Sequence, residues 1–342
     1  MKKPLEEISR RKVLRSLSAL ALPVLTGCRR QASPTRLREV TVAYVPRITM
    51  SPLHLAEEEG FFRDAGLKIV FQTQRKSEHI VSLLAGGKAD VGFAQVLPAL
   101  INSISAGANI RVVAGRDVAL STACSSFGTL YGNRKAFPRG LSDLRELKGK
   151  RLAVSGRAHF LAFCLDAELA SVGMSTADVH LLELEQTQAI PALISGKIDA
   201  TEASFMEARR ESLTAELVRG PSLADVLPGM QYNFTEFGPR LLDGDPKIGT
   251  AFLSAYFRGA RAFAAGRVPQ KFIQSLGLEI GLDPELALKG CRSGAVLDGK
   301  IDQASIQRVL DWSVKSGFCP NAPTVAAMID RRFTDRTQKG GM

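Results

Sequence analysis

The sequence predicts an α/β protein built as two lobes of similar construction facing each other across a cleft. Three observations carry that prediction. The stretch Leu83-Leu84-Ala85-Gly86-Gly87-Lys88-Ala89-Asp90-Val91-Gly92-Phe93-Ala94-Gln95 reads as an apolar helix end, a glycine able to take positive φ just beyond it, a polar turn and a strand. A near-echo, Leu193-Ile194-Ser195-Gly196-Lys197-Ile198-Asp199-Ala200-Thr201-Glu202, follows in the other half of the chain. Lys68 and Ala177 stand 22 residues before Asp90 and Asp199, and at both points an apolar, strand-like run begins. One crossover ending in Gly-Lys-x-Asp would be ordinary. Two of matching phase point to paired lobes.

The 342 residues suffice for two ordinary domains. A hydrophobic fraction of 45% and a mean hydropathy of +0.02 describe a globular protein. The single Trp argues against a carbohydrate cleft lined with stacked rings. Of the formal charge of +11, a net four belongs to residues 1–27. The rest is spread out except at the ends (Arg29, Arg30, Arg36, Arg38; Arg331, Arg332, Arg336, Lys339). Basic ends of that kind suit anionic headgroups or plain solvation. No helix-turn-helix, zinc-finger or RNA-binding signature is present, so no nucleic-acid partner is expected.

The N-terminus carries an export pattern. Ser9-Arg10-Arg11-Lys12-Val13-Leu14 is of the twin-arginine type, and the apolar run of residues 17–25 is too short to span a bilayer. Leu25-Thr26-Gly27-Cys28 fits a lipobox, making residues 1–27 a signal peptide and Cys28 the lipidated first residue of the mature chain. Several acyl chains would tether it firmly to a bacterial membrane, facing the periplasm or the cell exterior. Cys124, Cys164, Cys291 and Cys319 show neither CxxC nor metal spacing. Cys164 falls on an apolar helix face as a small buried hydrophobe, and Cys291 and Cys319 share a helical region in which they could pair.

After a linker (residues 28–38), a strand at 40–45 leads to a loop in which Ser51 is a candidate N-cap and Pro52 suits the first helical position. A helix over 53–65 closes at Gly66; a strand at 68–73 and a helix capped by Ser77 follow. Strand 90–94, helix 96–105 and strand 110–114 complete a βαβαβαβ alternation, which implies a parallel sheet covered on both faces. Residues 121–126 are small and polar, as a hinge would be. Strand 151–154 then turns at Ser155-Gly156-Arg157 into a long helix over 158–172. A Pro/Gly-rich return (Gly220-Pro221, Pro228-Gly229) precedes a strand at 230–234, and from Asp245 the chain is mostly helical. The boundaries are 39–125 for the first part of lobe 1, 126–230 for lobe 2, and 231–342 for the return to lobe 1 with its C-terminal helices.

Val42-Ala43-Tyr44-Val45-Pro46, Ser51-Pro52-Leu53-His54-Leu55-Ala56-Glu57-Glu58-Glu59-Gly60-Phe61-Phe62 and Ala65-Gly66-Leu67-Lys68-Ile69 resemble a known family. It is that of the solute-binding proteins of ABC importers for nitrate, taurine, aliphatic sulfonates and thiamine-precursor pyrimidines. The Leu-Ala-Gly-Gly-Lys-Ala-Asp run, Asp143-Leu144 with Leu147-Lys148-Gly149-Lys150, and Gly196-Lys197-Ile198-Asp199-Ala200 are similar to its later motifs. The resemblance covers residues 39–240. It implies a two-lobed periplasmic-binding-protein-like fold (type II) whose first lobe is completed by the C-terminal third. It further implies an ABC permease and ATPase as partners of a monomeric receptor. Members often place an aromatic in the first loop, where this chain has Arg47, Ile48 and Met50.

Ligands of open α/β sheets sit beyond the carboxyl ends of strands, beside unpaired N–H groups at helix starts. That selects the loops at 46–52, 74–77, 95–97, 155–159 and 201–204, and with them Arg47, Ser51, Ser77, Gln95, Ser155, Gly156, Arg157 and Glu202. Arg47 and Arg157 from opposite lobes suit a carboxylate, sulfonate or phosphate head, because a guanidinium fork binds such groups bidentately. Gln95 and Glu202 could serve the other end, and Glu236 could cap a turn. There is no Gly-x-Ser-x-Gly elbow, no Walker A loop and no zinc spacing among His54, His79, His159 and His180. No cofactor or metal is expected. The competing classes are an enzyme of the same fold in pyrimidine or cofactor biosynthesis, and a sensory lipoprotein that no longer transports.

Overall fold

The computed structural model divides into residues 1–35 and residues 36–342, and describes residues 37–121, 128–203, 215–280 and 294–339. The expected signal peptide (residues 1–27), Cys28, Cys124, Cys291 and most of the 121–126 stretch lie outside the described residues.

The described chain starts β1 (Arg38–Tyr44), α1 (Ser51–Glu58), α2 (Phe61–Asp64), β2 (Leu67–Thr73), α3 (Ser77–Ala85), β3 (Val91–Phe93), α4 (Pro98–Ser105), β4 (Arg111–Val118). It continues β5 (Thr129–Asn133), β6 (Arg151–Val154), α5 (Phe160–Ser171), β7 (His180–Glu183), α6 (Gln186–Ile194), β8 (Ala200–Ala203), β9 (Leu217–Ser222), α7 (Leu223–Val226). The last section is β10 (Gln231–Phe237), α8 (Pro239–Leu242), α9 (Pro246–Ala264), α10 (Gln270–Ile280), β11 (Gly294–Ala295), α11 (Gln303–Lys315), α12 (Val325–Met328), α13 (Arg332–Lys339).

Two sheets result, ordered β11-β4-β10-β3-β1-β2 and β7-β6-β8-β5-β9. Here the structure corrects the expectation of a parallel first sheet. β1 pairs in parallel with β2 and β3, but β10 runs antiparallel between β3 and β4. The chain leaves lobe 1 after β4, builds the second sheet and returns through β10 into the middle of the first. A strand re-entering by a short connection from the far lobe runs opposite to strands delivered by helical crossovers.

Lobe 1 has three layers. On one face of its sheet α1, α2, α9, α10 and α13 bury Phe62, Phe252, Tyr256, Phe272 and Phe333; on the other, α3, α4, α11 and α12 bury Ile80, Leu84, Leu100, Ile306 and Met328. Each such aromatic is worth about 3–5 kcal/mol against truncation to alanine. α1 lies so close on α9 that a Cβ on Gly259 would collide with the Pro52 carbonyl. The single helix expected over 53–65 is two, because Gly60 takes φ 73° and turns the chain between α1 and α2.

Ser51 and Ser77 are not N-caps. Each is the first helical residue, after Met50 and Lys76 respectively, and neither cap makes a side-chain bond. The Ser51 hydroxyl instead donates to the Ile48 carbonyl (2.7 Å) inside the short 3-10 turn Ile48–Met50.

In lobe 2, α5 and α7 cover one sheet face and α6 the other. The lobes share apolar packing: Phe160 and Phe163 of α5 meet Tyr232 of β10 (5.8 Å between centroids) and Trp312 of α11 (5.6 Å). Cys164 is fully buried, as expected, and Cys319 is a free buried thiol beside the Pro98 carbonyl.

Candidate ligand-binding cleft

The carboxyl ends of the parallel strands of both sheets lead into loops that meet. Lys76, in the turn after β2, holds Nζ 2.9 Å from Oε1 of Glu185, in the turn after β7. These two residues are the N-cap positions of α3 and α6, so helix starts from the two lobes face one another around this bridge.

On the lobe 1 side, Arg47 precedes the 3-10 turn in an extended conformation and is half-buried. Its guanidinium has no hydrogen bond or ion pair among the described residues. Gln95 follows the neighbouring strand β3; it is buried to 9% exposure, and its carboxamide likewise finds no partner among the described residues. β1 and β3 are paired at Tyr44 and Phe93, so the two side chains leave the same edge of the sheet.

On the lobe 2 side, Ser155 Oγ lies 3.1 Å from His159 Nδ1, and that same nitrogen accepts the Leu161 N–H as the cap of α5. His159 is thus spent on its helix. Gly156 has no positive φ, and a Cβ there would meet only ordinary contacts. Arg157 is exposed and ion-paired: Nε lies 3.2 Å from Glu183 Oε1, and Nη2 donates to the Leu181 carbonyl (3.3 Å). Glu202 turns inward, fully buried beneath α5.

Arg47, Ser77, Gln95, Ser155, Gly156 and Arg157 therefore lie in the loops and helix starts that follow strand ends, whereas the Ser51 hydroxyl donates to the Ile48 carbonyl and Glu202 is fully buried. Ser204 lies outside the described residues.

Three side chains near these edges, Gln72, Gln186 and Arg116, were not anticipated, and Glu236 and His54 are held by long-range neighbours. Gln72, near the end of β2, and Gln186, at the start of α6, each leave a buried amide oxygen without a partner among the described residues, while Gln186 Nε2 donates to the Glu202 carbonyl (2.8 Å). Arg116 of β4 is 1% exposed: Nε donates to the Phe234 carbonyl (2.8 Å), its guanidinium stacks 4.5 Å over Phe93, and Asp117 balances its charge. Glu236, rather than capping a turn, accepts the Ala94 N–H (3.0 Å) from full burial, which pushes its carboxyl up to about 7. His54 is clasped by aromatics: Phe272 stacks on it at 3.9 Å, Phe71 lies at 4.7 Å, and Nε2 is 3.1 Å from the Tyr44 hydroxyl. Burial lowers its pKa to about 4, so it is neutral at physiological pH.

Two α/β lobes whose strand ends oppose one another, joined by two chain crossings, define the periplasmic-binding-protein-like fold. Residues 48–265 match the family described as NMT1/THI5 like, and the chain belongs to that family. Among curated relatives, a riboflavin-binding protein RibY of Chloroflexus aurantiacus is 25% identical over 162 residues, 46% of this chain and 43% of that one. A 4-amino-5-hydroxymethyl-2-methylpyrimidine phosphate synthase of Aspergillus parasiticus is 28% identical over 150 residues, 44% of this chain and 40% of that one. The chain thus spans less than half the length of the curated relatives it matches. Among solved structures, the periplasmic aliphatic sulphonate binding protein SsuA of Escherichia coli superposes with a TM-score of 0.70 at 15% identity, covering 86% of this chain and 92% of that one.

Proposed function

We propose that this chain is a solute receptor of an ABC importer that captures a small anionic organic molecule between its lobes. In this reading it is exported by the twin-arginine route, anchored through Cys28 and docked to a permease–ATPase pair. The observation that carries the proposal is Arg47, a half-buried guanidinium without a partner among the described residues at the edge where the lobes meet. A guanidinium that water reaches and no protein carboxylate holds can bind an anionic solute bidentately. Gln95 offers a neighbouring amide, the helix starts at Ser77 and Phe160 offer N–H groups, and Arg157 joins if it exchanges Glu183 for the solute. Family membership and the sulphonate-binding neighbour support the class of receptor, and the riboflavin-binding relative adds flat ring compounds to the candidates.

The test is a thermal-shift panel of sulfonates, nitrate, pyrimidines, riboflavin and aromatic acids, followed by calorimetry on Arg47→Ala. One anionic class should raise the melting temperature, and the substitution should weaken that response. A panel without a response, or unchanged affinity in Arg47→Ala, ends this reading. The pyrimidine-synthase relative makes turnover the second readout, because consumption of a bound pyrimidine precursor would place the chain among enzymes instead.

A further inference from the structure

Glu168, on α5, and Glu202, on β8, are both fully buried in lobe 2. Among the described residues, none of their four carboxyl oxygens meets an N–H or hydroxyl donor. The two carboxyls nevertheless lie within hydrogen-bonding reach of each other. Two carboxylates cannot hydrogen-bond without a proton between them, and two bare charges in a dry interior repel strongly. The ionisable groups around the pair do not relieve this. Cys164 on α5 is a buried thiol pushed well above its usual range by that burial and by the two glutamates. Asp225 on α7 is occupied by the Ser222 N–H and hydroxyl (both 2.8 Å). Tyr232 on β10, whose ring contacts α5, is a buried phenol held neutral by desolvation. No cation among the described residues faces the pair.

α5 also carries an apolar contact between the lobes. Its Phe160 and Phe163 pack on Tyr232 and Trp312, and Trp312 is the one tryptophan of the chain. The seat of α5 on β8 thereby governs how α5 meets lobe 1.

We propose that Glu168 and Glu202 share one proton that seats α5 on the lobe 2 sheet, and that losing this proton as the pH rises loosens α5 and its contact with lobe 1. The direction follows from linkage. Burial raises both carboxyls, Glu202 to about 7. The stabilisation is therefore complete below the carboxylate range of the unfolded chain and is lost as the pH rises through and beyond neutrality. The two protons belong to the pair rather than to either residue.

The experiment follows Trp312 fluorescence and thermal melting of the full mature chain from pH 5 to pH 9, in the parent, Glu168→Gln, Glu202→Gln and the double variant. Two glutamines keep the shape of the protonated pair and a hydrogen bond between amides. The parent should show a fluorescence titration and a melting temperature that falls on alkalisation; the double variant should lose both. Glu236, buried in lobe 1, titrates in the same range in every protein, so the comparison between variants isolates the pair. A double variant that tracks the parent at every pH overturns the proposal. Should the double variant not fold, the single variants decide. Each should move the Trp312 midpoint by about one pH unit or more, and unmoved midpoints in both overturn the proposal equally.

Discussion

Asp90 and Asp199 occupy equivalent places in the two lobes and do the same work. The Asp90 carboxylate accepts the Thr41 N–H of β1 at 2.8 Å, and the Asp199 carboxylate accepts the Arg151 N–H of β6 at 2.8 Å. An arginine completes each arrangement, Arg240 beside Asp90 and the Arg151 side chain itself beside Asp199. The repeated Gly-Lys-x-Asp turn is a clamp on the adjacent strand, not part of a ligand site. Asp90→Ala strands a buried N–H and removes a charge-assisted bond, so it should cost about 1.5–3 kcal/mol in chemical denaturation.

Asp199 gives an acid-side prediction. Burial pushes its carboxyl up, but the hydrogen bonds and charge of Arg151 outweigh that and hold it below the usual carboxylate range. Its contribution is therefore present above about pH 4 and is lost as the pH falls through the lowered value. Asp199→Asn should lower the melting temperature at pH 7, and its difference from the parent should shrink as the pH falls below about 4.

For the solute, Arg47 and Arg157 should separate. A hydrogen bond to a charged group is worth about 1.5–3 kcal/mol, so Arg47→Ala should weaken binding about 10- to 100-fold. Arg157 must first leave Glu183, and its removal should cost about tenfold or less. Titration calorimetry with the solute found by thermal shift ranks them. A larger loss in Arg157→Ala would move the anion to the lobe 2 loop.

The Lys76–Glu185 bridge is solvent-exposed on both sides and therefore weak and screened by salt. Lys76→Glu should nonetheless shift the ligand-free molecule toward a wider separation of lobes, seen as a larger radius of gyration in small-angle scattering. The shift should shrink at high salt. Reversal of both charges in Lys76→Glu/Glu185→Lys should restore the parent radius.

His54 supplies a prediction of opposite sign to the buried acids. A base kept neutral by burial, with its pKa near 4, costs stability as the pH falls from about 6.5 toward 4, because only the unfolded chain takes up the proton. The loss amounts to up to about 3 kcal/mol. His54→Phe should remove most of that pH dependence, at the expense of the hydrogen bond to Tyr44, as read by denaturant unfolding at pH 7 and pH 5.

Much of this was legible in the residues because it is local. Glycines after helix ends, alternating strands and helices, and the phase of the two turns all act over a few positions. Arg47 and Gln95 stand out the same way, as candidate residues just past strand ends. What stayed hidden is long-range. Nothing near Gln231 or Phe237 says that β10 will slot between β3 and β4. Arg116 reads as a charge closing a strand, and only the Phe93 ring and the Phe234 carbonyl make it a buried one. Glu168 sits in an apolar helix and Glu202 at the end of a strand. Glu168 looks solvated and Glu202 looks turned to the cleft until α5 lies on β8.

The place of β10 has a consequence for the order of events during synthesis. All five strands of the lobe 2 sheet fall between Thr129 and Ser222, an unbroken run that can pair as soon as it emerges. The lobe 1 sheet cannot: β4 reaches β3 only through β10, and the helices that bury Phe252 and Phe333 come later still. A nascent chain therefore holds a fully paired second sheet while the first, begun earlier, still waits for its central strand. Chaperones that meet this protein in mid-translation should find exposed β1 to β4, and their grip should end once residues 231–264 are free of the ribosome.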